Sequence, residues 1–339
     1  MNLAAFHAKS ALAALSAVAG RTMRVCTATL LLFFVCLLSH EHLFAQALKA
    51  KSVPPSAAPQ PALARHYQEG EKIAYTISCI NHARAQTTEY EARAEGVVNK
   101  DPAGIFVEDL AWTDLQVNDG QVRLSQASRA FREPLSLAPG AKLAVPDLGR
   151  VQAALIGPIT DLLTFYADAK IAMNQKGLVR AGDHAYVSFG APNSWADGTR
   201  VVIGEDAIDF NVTLQSIDPA TQVAIVVVRH LPPQHPQIKL PARWMSTPVS
   251  ESQNNWVQVE KKSDGTYVAG VGKETFDVEL KIALATGRIL SATMDNPVDV
   301  MERACTDAAL TACGSPERYR ILREITLTAD PTPAQVAPR

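Results

Sequence analysis

Long runs of charge of one sign are missing from this sequence. Lys and Arg together number 32, Asp and Glu number 34, and the two signs are interspersed, so that the formal net charge is only -2. Nucleic-acid-binding domains usually carry a basic patch or stripe, and contact with an anionic membrane surface usually depends on a polybasic cluster. The charge pattern therefore argues against nucleic acid as a partner and against a polybasic membrane contact.

Motifs for catalysis and metal binding are missing as well. The sequence has no C-x-x-C pair and no G-x-S-x-G, which argues against a zinc knuckle, a thioredoxin-like redox site and a nucleophile elbow. The segment around Gly272 and Lys273 is similar to a phosphate-binding loop, but Glu274 stands where that motif requires Ser or Thr. His230 and His235 flank a proline-rich loop, and nothing fixes a third metal ligand. We predict no catalytic residue, no metal and no cofactor, and the sequence leans towards a non-enzymatic protein.

The main apolar run of the N-terminal region, residues 25–38, is shorter than the roughly 20 residues that a membrane-spanning helix needs. It follows Arg21 and Arg24 and precedes an A-x-A pattern that ends at Ala47. Positive charge, apolar run and small residues, in that order, are typical of a secretory signal. We expect cleavage after Ala47, a periplasmic or secreted location, and no transmembrane helix in the mature chain. An uncleaved anchor is the alternative, and Met23 is an alternative start.

Only three cysteines, Cys79, Cys305 and Cys313, follow this signal. Outside the cytoplasm, cysteines as close in sequence as Cys305 and Cys313 favour a disulfide. Cys79 alternates with apolar residues along a predicted strand, so its side chain is expected to face a core as a small apolar group.

Composition divides the rest of the chain into three parts. Residues 48–65 are rich in Pro and Ala and predict a flexible leader, and residues 330–339 predict a disordered tail. Between them, residues 66–329 are expected to form a single mostly β domain. No internal repeat of solenoid type is visible.

Alternating apolar and polar residues recur through this domain, most clearly at 207–215 and 276–282. Such alternation predicts strands with one buried and one solvated face, as in antiparallel sheets. Further strands are predicted near 71–79, 88–99, 104–112, 129–137, 222–228, 255–262, 266–271, 287–294 and 319–327.

One segment has the apolar spacing of a helix instead. Residues 157–177 place an apolar stripe at i, i+3 and i+4, with Pro158 in the expected first turn, Asp161 near the N-terminal pole and Gly177 at the end. A shorter helix is predicted at 148–155. The fold class is therefore α+β, mainly antiparallel, with one or two helices.

The order of these elements resembles a known group of proteins. The segment from Ala181 to the strand at 207–215, and the segment from Glu274 through Gly287 to Ser291, resemble uncharacterised bacterial exported proteins. These are similar in strand pattern to the lipoprotein-localisation carriers. The resemblance covers roughly residues 66–328. It implies a curved sheet that wraps one or two helices as a half-barrel, with an apolar concave face, and an activity of binding or carriage.

Two loop regions carry the candidate ligand-binding residues Trp195, Trp244, Met245 and Trp256. Trp195 either lines a ligand site or plugs the end of the sheet beside a tight turn. Trp244 and Met245 lie in a proline-broken segment that forms either a surface for a partner or lipid, or a lid over the core. The sequence leaves these alternatives open.

The expected function is therefore that of an exported envelope or periplasmic protein that binds an apolar ligand, a lipid or an envelope protein on the inner face of its sheet. The apolar faces of 208–214 and 276–282 and the apolar stripe of the helix motivate this expectation. If the helix fills that face completely, an ordinary core results instead. A hydrolase with an unrecognised active site and a purely structural envelope component are the alternatives.

Overall fold

The computed structural model describes residues 63–144, 146–190, 194–196, 200–203, 207–231, 238 and 240–331. Antiparallel strands dominate this part of the chain. The strands are β1 (Lys72–Ala83), β2 (Gln86–Lys100), β3 (Phe106–Val117), β4 (Gly120–Gln121), β5 (Glu133–Leu135), β6 (His184–Gly190), β7 (Ser194–Ala196), β8 (Arg200–Ile203), β9 (Ala207–Asp218), β10 (Val223–Leu231), β11 (Trp256–Lys261), β12 (Tyr267–Glu274), β13 (Asp277–Ala283), β14 (Ile289–Cys305) and β15 (Glu317–Ala329). The two helices are α1 (Gln126–Ala130) and α2 (Ala153–Met173), and a 3-10 turn covers Arg243–Ser246.

All these strands belong to one antiparallel sheet, which is curved and open. Its main path runs β4-β3-β2-β1-β15-β14-β12-β11-β8-β7, and a branch leaves β14 through β13, β10 and β9 to β6. The expected antiparallel, curved sheet is thus confirmed, and the described chain is mostly β.

The branch arises because β12 and β13 share the same edge of β14. Residues 291–295 of β14 pair with β13, and residues 298–305 pair with β12. Between the two strands, the ladder is interrupted at Thr275 and Phe276. These residues lie opposite Asn296 and Pro297. Proline has no N–H to donate to a ladder. The sheet therefore divides into two lobes at this break.

Helix α2 packs on one face of the sheet, which we call the inner face. Its buried residues belong to the same hydrophobic core as inward-facing residues of β1, β2, β9, β10, β13, β14 and β15. Leu162, Phe165 and Tyr166 have no exposed surface. Burying each such side chain contributes about 1.5–3 kcal/mol, so α2 is a principal stabilising element.

The sequence misplaced the ends of this helix. It begins at Ala153 rather than 157, which merges the two predicted helices, and it ends at Met173, before Gly177. Pro158 lies inside the helix, where it removes only one backbone N–H donor. Asp161 is therefore in the third turn and 3 % exposed, not at a solvated N-terminal pole.

The packed region also begins earlier than the predicted boundary at residue 66. Leu63 and Arg65 are buried, and the backbone of Ala64 lies against Gly287, where a Cβ would be 2.2 Å from the Ala64 carbonyl oxygen. At the other end, Asp330 forms an ion pair with Arg93 at 2.5 Å. The predicted signal, most of the leader and residues 332–339 lie outside the described residues.

The predicted disulfide between Cys305 and Cys313 is present. It closes a loop against a second, smaller core on the outer face of β11, β12 and β14, which includes Met245, Val257 and Met301. Cys79 is free and buried in the main core, as predicted from its strand position.

Candidate functional site

Polar side chains cross the inner face of the sheet at the break between the two lobes. We call this set the polar belt; it comprises Tyr90, Asn81, Arg323, Asn296, Glu274 and His230, from β2, β1, β15, β14, β12 and β10 respectively. Arg323 lies in the inward series that continues to Ile325 and Leu327, which are each 1 % exposed. The belt therefore interrupts the apolar face that α2 covers.

Helix α2 adds two carboxylates to the belt. Asp161 and Asp168 are seven residues apart, which places both on the same side of the helix. Asp161 accepts hydrogen bonds from the Tyr90 hydroxyl and from the Arg323 guanidinium. Asp168 accepts a hydrogen bond from Nε2 of His230 at 3.0 Å. These contacts tie the helix to both lobes of the sheet.

Arg323 is the central group of the belt. Burial alone would lower its pKa, but the neighbouring charge of Asp161 raises it, so the guanidinium stays positive. A second N–H donates to Oδ1 of Asn296 at 3.4 Å, and 24 % of the side-chain surface remains accessible. The guanidinium is thus held by protein groups and is still partly accessible.

Two polar atoms of the belt are buried without a hydrogen-bond partner among the described residues: Oδ1 of Asn81 and Nδ1 of His230. The His230 ring lies between Phe210 and Phe276, with centroid distances of 4.5 and 4.6 Å. Most buried polar groups in proteins are paired, so such atoms commonly mark the place of a water molecule or ligand. The Asp168–His230 pair has no hydroxyl or thiol nucleophile bonded to it within the described chain.

Glu274 and Asn296 close the belt at the break. Burial raises the pKa of Glu274, although a hydrogen bond from Nδ2 of Asn296 at 3.1 Å opposes that rise. The same Asn296 amide donates to the carbonyl oxygen of Thr275 at 3.0 Å. Asn296 thus replaces the ladder hydrogen bonds that are lost where β12 and β13 separate.

Beyond the belt, the inner face becomes apolar again. This apolar wall consists of Trp256, Val298, Val300, Tyr319 and Ile321. Among the described residues, no helix residue belongs to this cluster. The wall spans four neighbouring strands, β15, β14, β12 and β11, and β1 adjoins it on the other side of β15. The width from β1 to β11 is about 19 Å at the usual strand spacing.

Trp256 covers the middle of the wall because its cross-strand neighbours are glycines. It pairs with Gly272, and a Cβ on that glycine would lie 3.0 Å from Cε3 of the indole. The ring therefore rests directly on the backbone of β12. At the far rim, Arg84 contacts Glu302 at 2.6 Å and Glu317 at 2.8 Å. The wall is thus bounded by polar groups on two sides.

A different arrangement, the closed ion cluster, meets α2 at Tyr166, which lies between Asp161 and Asp168 in sequence and on a different side of the helix. Arg65 contacts Glu108 at 3.2 Å and Glu71 at 2.8 Å, and the Arg65 and Glu108 side chains are each 1 % exposed. Glu108 also accepts hydrogen bonds from the hydroxyls of Tyr75 and Tyr166. Both carboxylate oxygens of Glu108 therefore accept hydrogen bonds inside the protein.

The structure places Trp256 on the opposite face of the sheet from Trp244 and Met245. Trp256 lies on the apolar wall of the inner face. Trp244 and Met245 belong to the core of the outer face; Met245 has no exposed surface, and Nε1 of Trp244 donates to the carbonyl oxygen of Leu310 at 3.1 Å. Met245 is therefore part of the second core, and Trp244 packs against it. Trp195 lies in β7, and its side chain falls outside the described residues.

The inner-face residues that motivated the ligand hypothesis are packed against α2. Phe210, Val212, Leu214, Val278, Leu280 and Ile282 are all 3 % exposed or less and share the core with the helix. This part of the face is an ordinary core because the α2 stripe fills it. Beyond the belt, Trp256, Val298 and Val300 are 9 % exposed or less, whereas Tyr319 and Ile321 are partly exposed.

Sequence reasoning missed the belt, although a signal was present. Arg323 falls between Ile321 and Ile325 in an otherwise apolar inward series, and Asn296 falls in the same way between Met294 and Val298. A charged or amide residue at an inward position of a strand indicates either an internal partner or a binding site. The partner, Asp161, was hidden because the helix was expected to begin four residues later.

No helix in the described ranges has the length and apolar character to cross a membrane, and those ranges contain no cluster of metal-binding side chains. No protein-family model matches the chain, and no curated protein matches it.

Proposed function

We propose that this chain is an exported, non-enzymatic protein of the cell envelope or periplasm, and that it binds an apolar ligand or the apolar part of a partner. The curved sheet wraps α2 over one lobe and offers the apolar wall beside it as the binding surface. One observation carries the proposal: the inner face remains apolar beyond the polar belt, where no residue of α2 packs on it.

The composition of the wall supports this proposal. Tyr319 and Ile321 are partly exposed, and they pack against the buried ring of Trp256 in one apolar cluster. Apolar walls with a few polar groups at one side are typical of small-molecule sites. The partly accessible guanidinium of Arg323 supplies such a polar group next to Ile321.

Native mass spectrometry of the protein purified without detergent tests this function, together with titration by a fluorescent apolar dye. Ile321→Asp places a charge on the apolar wall and should reduce ligand and dye binding at least about tenfold, because a charge on an apolar surface is poorly solvated. Leu322→Asp is the matched control, since Leu322 is the next residue, is similarly exposed and faces the opposite side of β15. Equal dye binding by both variants and the parent protein would rule out the wall as a binding site.

The hydrolase alternative has one observation in its favour: the buried Asp168–His230 pair, in which Nδ1 of His230 has no partner among the described residues. Such a pair is two thirds of a catalytic triad. Hydrolysis of a generic ester that is abolished by His230→Gln would favour this alternative. The structural alternative predicts neither binding nor hydrolysis.

A further inference from the structure

We propose that the ligand of the apolar wall is an amphiphile with an uncharged, hydrogen-bonding head group, and that this head group is held by Arg323 and Asn81. The inference rests on the proposed function and specifies its ligand class. A monoacylglycerol is a simple representative: one acyl chain, an ester carbonyl and free hydroxyls, without charge.

The position of the two residues is the first step. Arg323 and Asn81 are direct cross-strand partners on β15 and β1, and both face inward. Residues paired in this way have Cβ atoms about 4.5–5.5 Å apart. Ile321 is the next inward residue of β15 and belongs to the apolar wall. The pair therefore lies where the polar belt meets the wall, which is where an amphiphile would place its head.

The second step is unused hydrogen-bonding capacity. Oδ1 of Asn81 is buried and has no partner among the described residues. A guanidinium has five N–H donors, and Arg323 directs two hydrogen bonds at Asp161 and Asn296 and approaches the thiol of Cys79. An acceptor that lacks a donor thus stands beside a cation with donors to spare. A hydroxyl can donate to Asn81 while an ester or amide carbonyl accepts from Arg323.

The third step is charge. The positive charge of Arg323 is already balanced by Asp161, with which it forms an ion pair. Glu274 and Asp168 are further carboxyl groups of the same region. A fatty acid carboxylate or a phosphate would enter this enclosed space without an unpaired cation, and burying an unbalanced charge is strongly unfavourable. An uncharged head avoids this penalty.

The test compares two ligands with the same acyl chain. The full protein, purified without detergent, is titrated at pH 8 with 1-monopalmitoylglycerol and with palmitate, each displacing the apolar dye. Monopalmitoylglycerol should bind at least about tenfold more tightly, since a tenfold difference needs only 1.4 kcal/mol. Asn81→Leu should weaken monopalmitoylglycerol binding about three- to tenfold relative to palmitate binding, the range expected for one neutral hydrogen bond.

His82→Leu is the matched control, because His82 is the neighbouring residue of β1 and is exposed on the opposite face. It should change neither affinity. The head-group assignment is overturned if palmitate binds as tightly as monopalmitoylglycerol, or if Asn81→Leu does not change the preference between them. Neither result would contradict binding at the apolar wall. If neither amphiphile binds and Ile321→Asp does not alter dye binding, the proposed function itself fails.

Discussion

Two clusters of charged residues hold α2 on the sheet, and they differ in how completely they are closed. In the closed ion cluster, the paired side chains of Arg65 and Glu108 are each 1 % exposed. In the polar belt, Arg323 is 24 % exposed and its partner Asp161 4 %. In the first cluster each carboxylate oxygen of Glu108 has a partner, whereas Oδ1 of Asn81 in the belt has none among the residues that the structure describes.

This difference indicates different roles. A fully buried ion pair is stable only when further hydrogen bonds satisfy its remaining donors and acceptors, and the closed ion cluster meets that condition. The belt meets it only in part. An incompletely paired cluster next to an apolar surface is suited to a ligand, because the ligand can supply the hydrogen bonds that the protein omits.

The largest expected effect comes from removing the arginine of each cluster. Arg65→Met leaves Glu108 buried without its counter-charge and should lower the free energy of unfolding by about 3–5 kcal/mol. Arg323→Met removes a partly accessible side chain and leaves Asp161 its hydrogen bond from Tyr90, so the loss should be smaller, about 1–3 kcal/mol. Urea denaturation at pH 7 measures both values.

Arg93→Met serves as the control for these variants. Arg93 is 35 % exposed in its ion pair with Asp330, and removing an exposed pair should cost less than about 1 kcal/mol. If Arg323→Met lowers the free energy of unfolding as much as Arg65→Met or more, the polar belt is as closed as the closed ion cluster. That result would contradict the proposed difference between the two clusters.

The sequence predicted much of the fold because the alternation of apolar and polar residues is a local property of each strand. Alternation identified strands such as β9 and β13, and it assigned their inward residues correctly, since side chains of a strand alternate between faces whatever the tertiary context. It failed where context overrides pattern. Helix α2 continues through Pro158, and β14 continues past residue 294 to Cys305, because each is supported by neighbours distant in sequence.

The candidate site was less predictable for the same reason. Trp244 and Trp256 are close in sequence, but β11 directs Trp256 to the inner face while the segment containing Trp244 folds over the outer core. Arg323 and Asp161 are 162 residues apart, and no local pattern links them. Only the register of β15 and the position of α2 bring them together.

The second prediction concerns Glu133, a buried carboxyl group in β5. Burial raises the pKa of Glu133 to about 8, and a hydrogen bond from Nε1 of Trp112 at 3.1 Å only partly offsets this rise. The folded state then binds a proton that the unfolded state releases above a pH of about 4.5. Stability is therefore full at acidic pH and falls as the pH rises from about 5 to about 8.

Glu133→Gln should remove this dependence. One pKa unit corresponds to about 1.4 kcal/mol, so the variant should be more stable than the parent at pH 8 by about 2–4 kcal/mol and similar to it at pH 5. Urea denaturation at several pH values measures the difference. Glu91→Gln, at an exposed position of β2, is the control and should leave the pH dependence unchanged. A parent stability that is flat between pH 5 and 8 would contradict the prediction.

The smallest expected effect separates binding from stability within the belt itself. Asn296 is fully buried, and its amide donates to Glu274 and to the carbonyl oxygen of Thr275. Asn296→Leu leaves those acceptors unpaired and should cost about 1–3 kcal/mol. Asn81→Leu removes a buried oxygen that has no partner in the described part of the chain, so its cost should be within about 0.5 kcal/mol of zero, with a slight gain in stability expected. Thermal and urea unfolding of the ligand-free protein measure both variants. If Asn81→Leu destabilises the protein as much as Asn296→Leu, Asn81 has a structural partner, and the belt offers no free acceptor to a ligand.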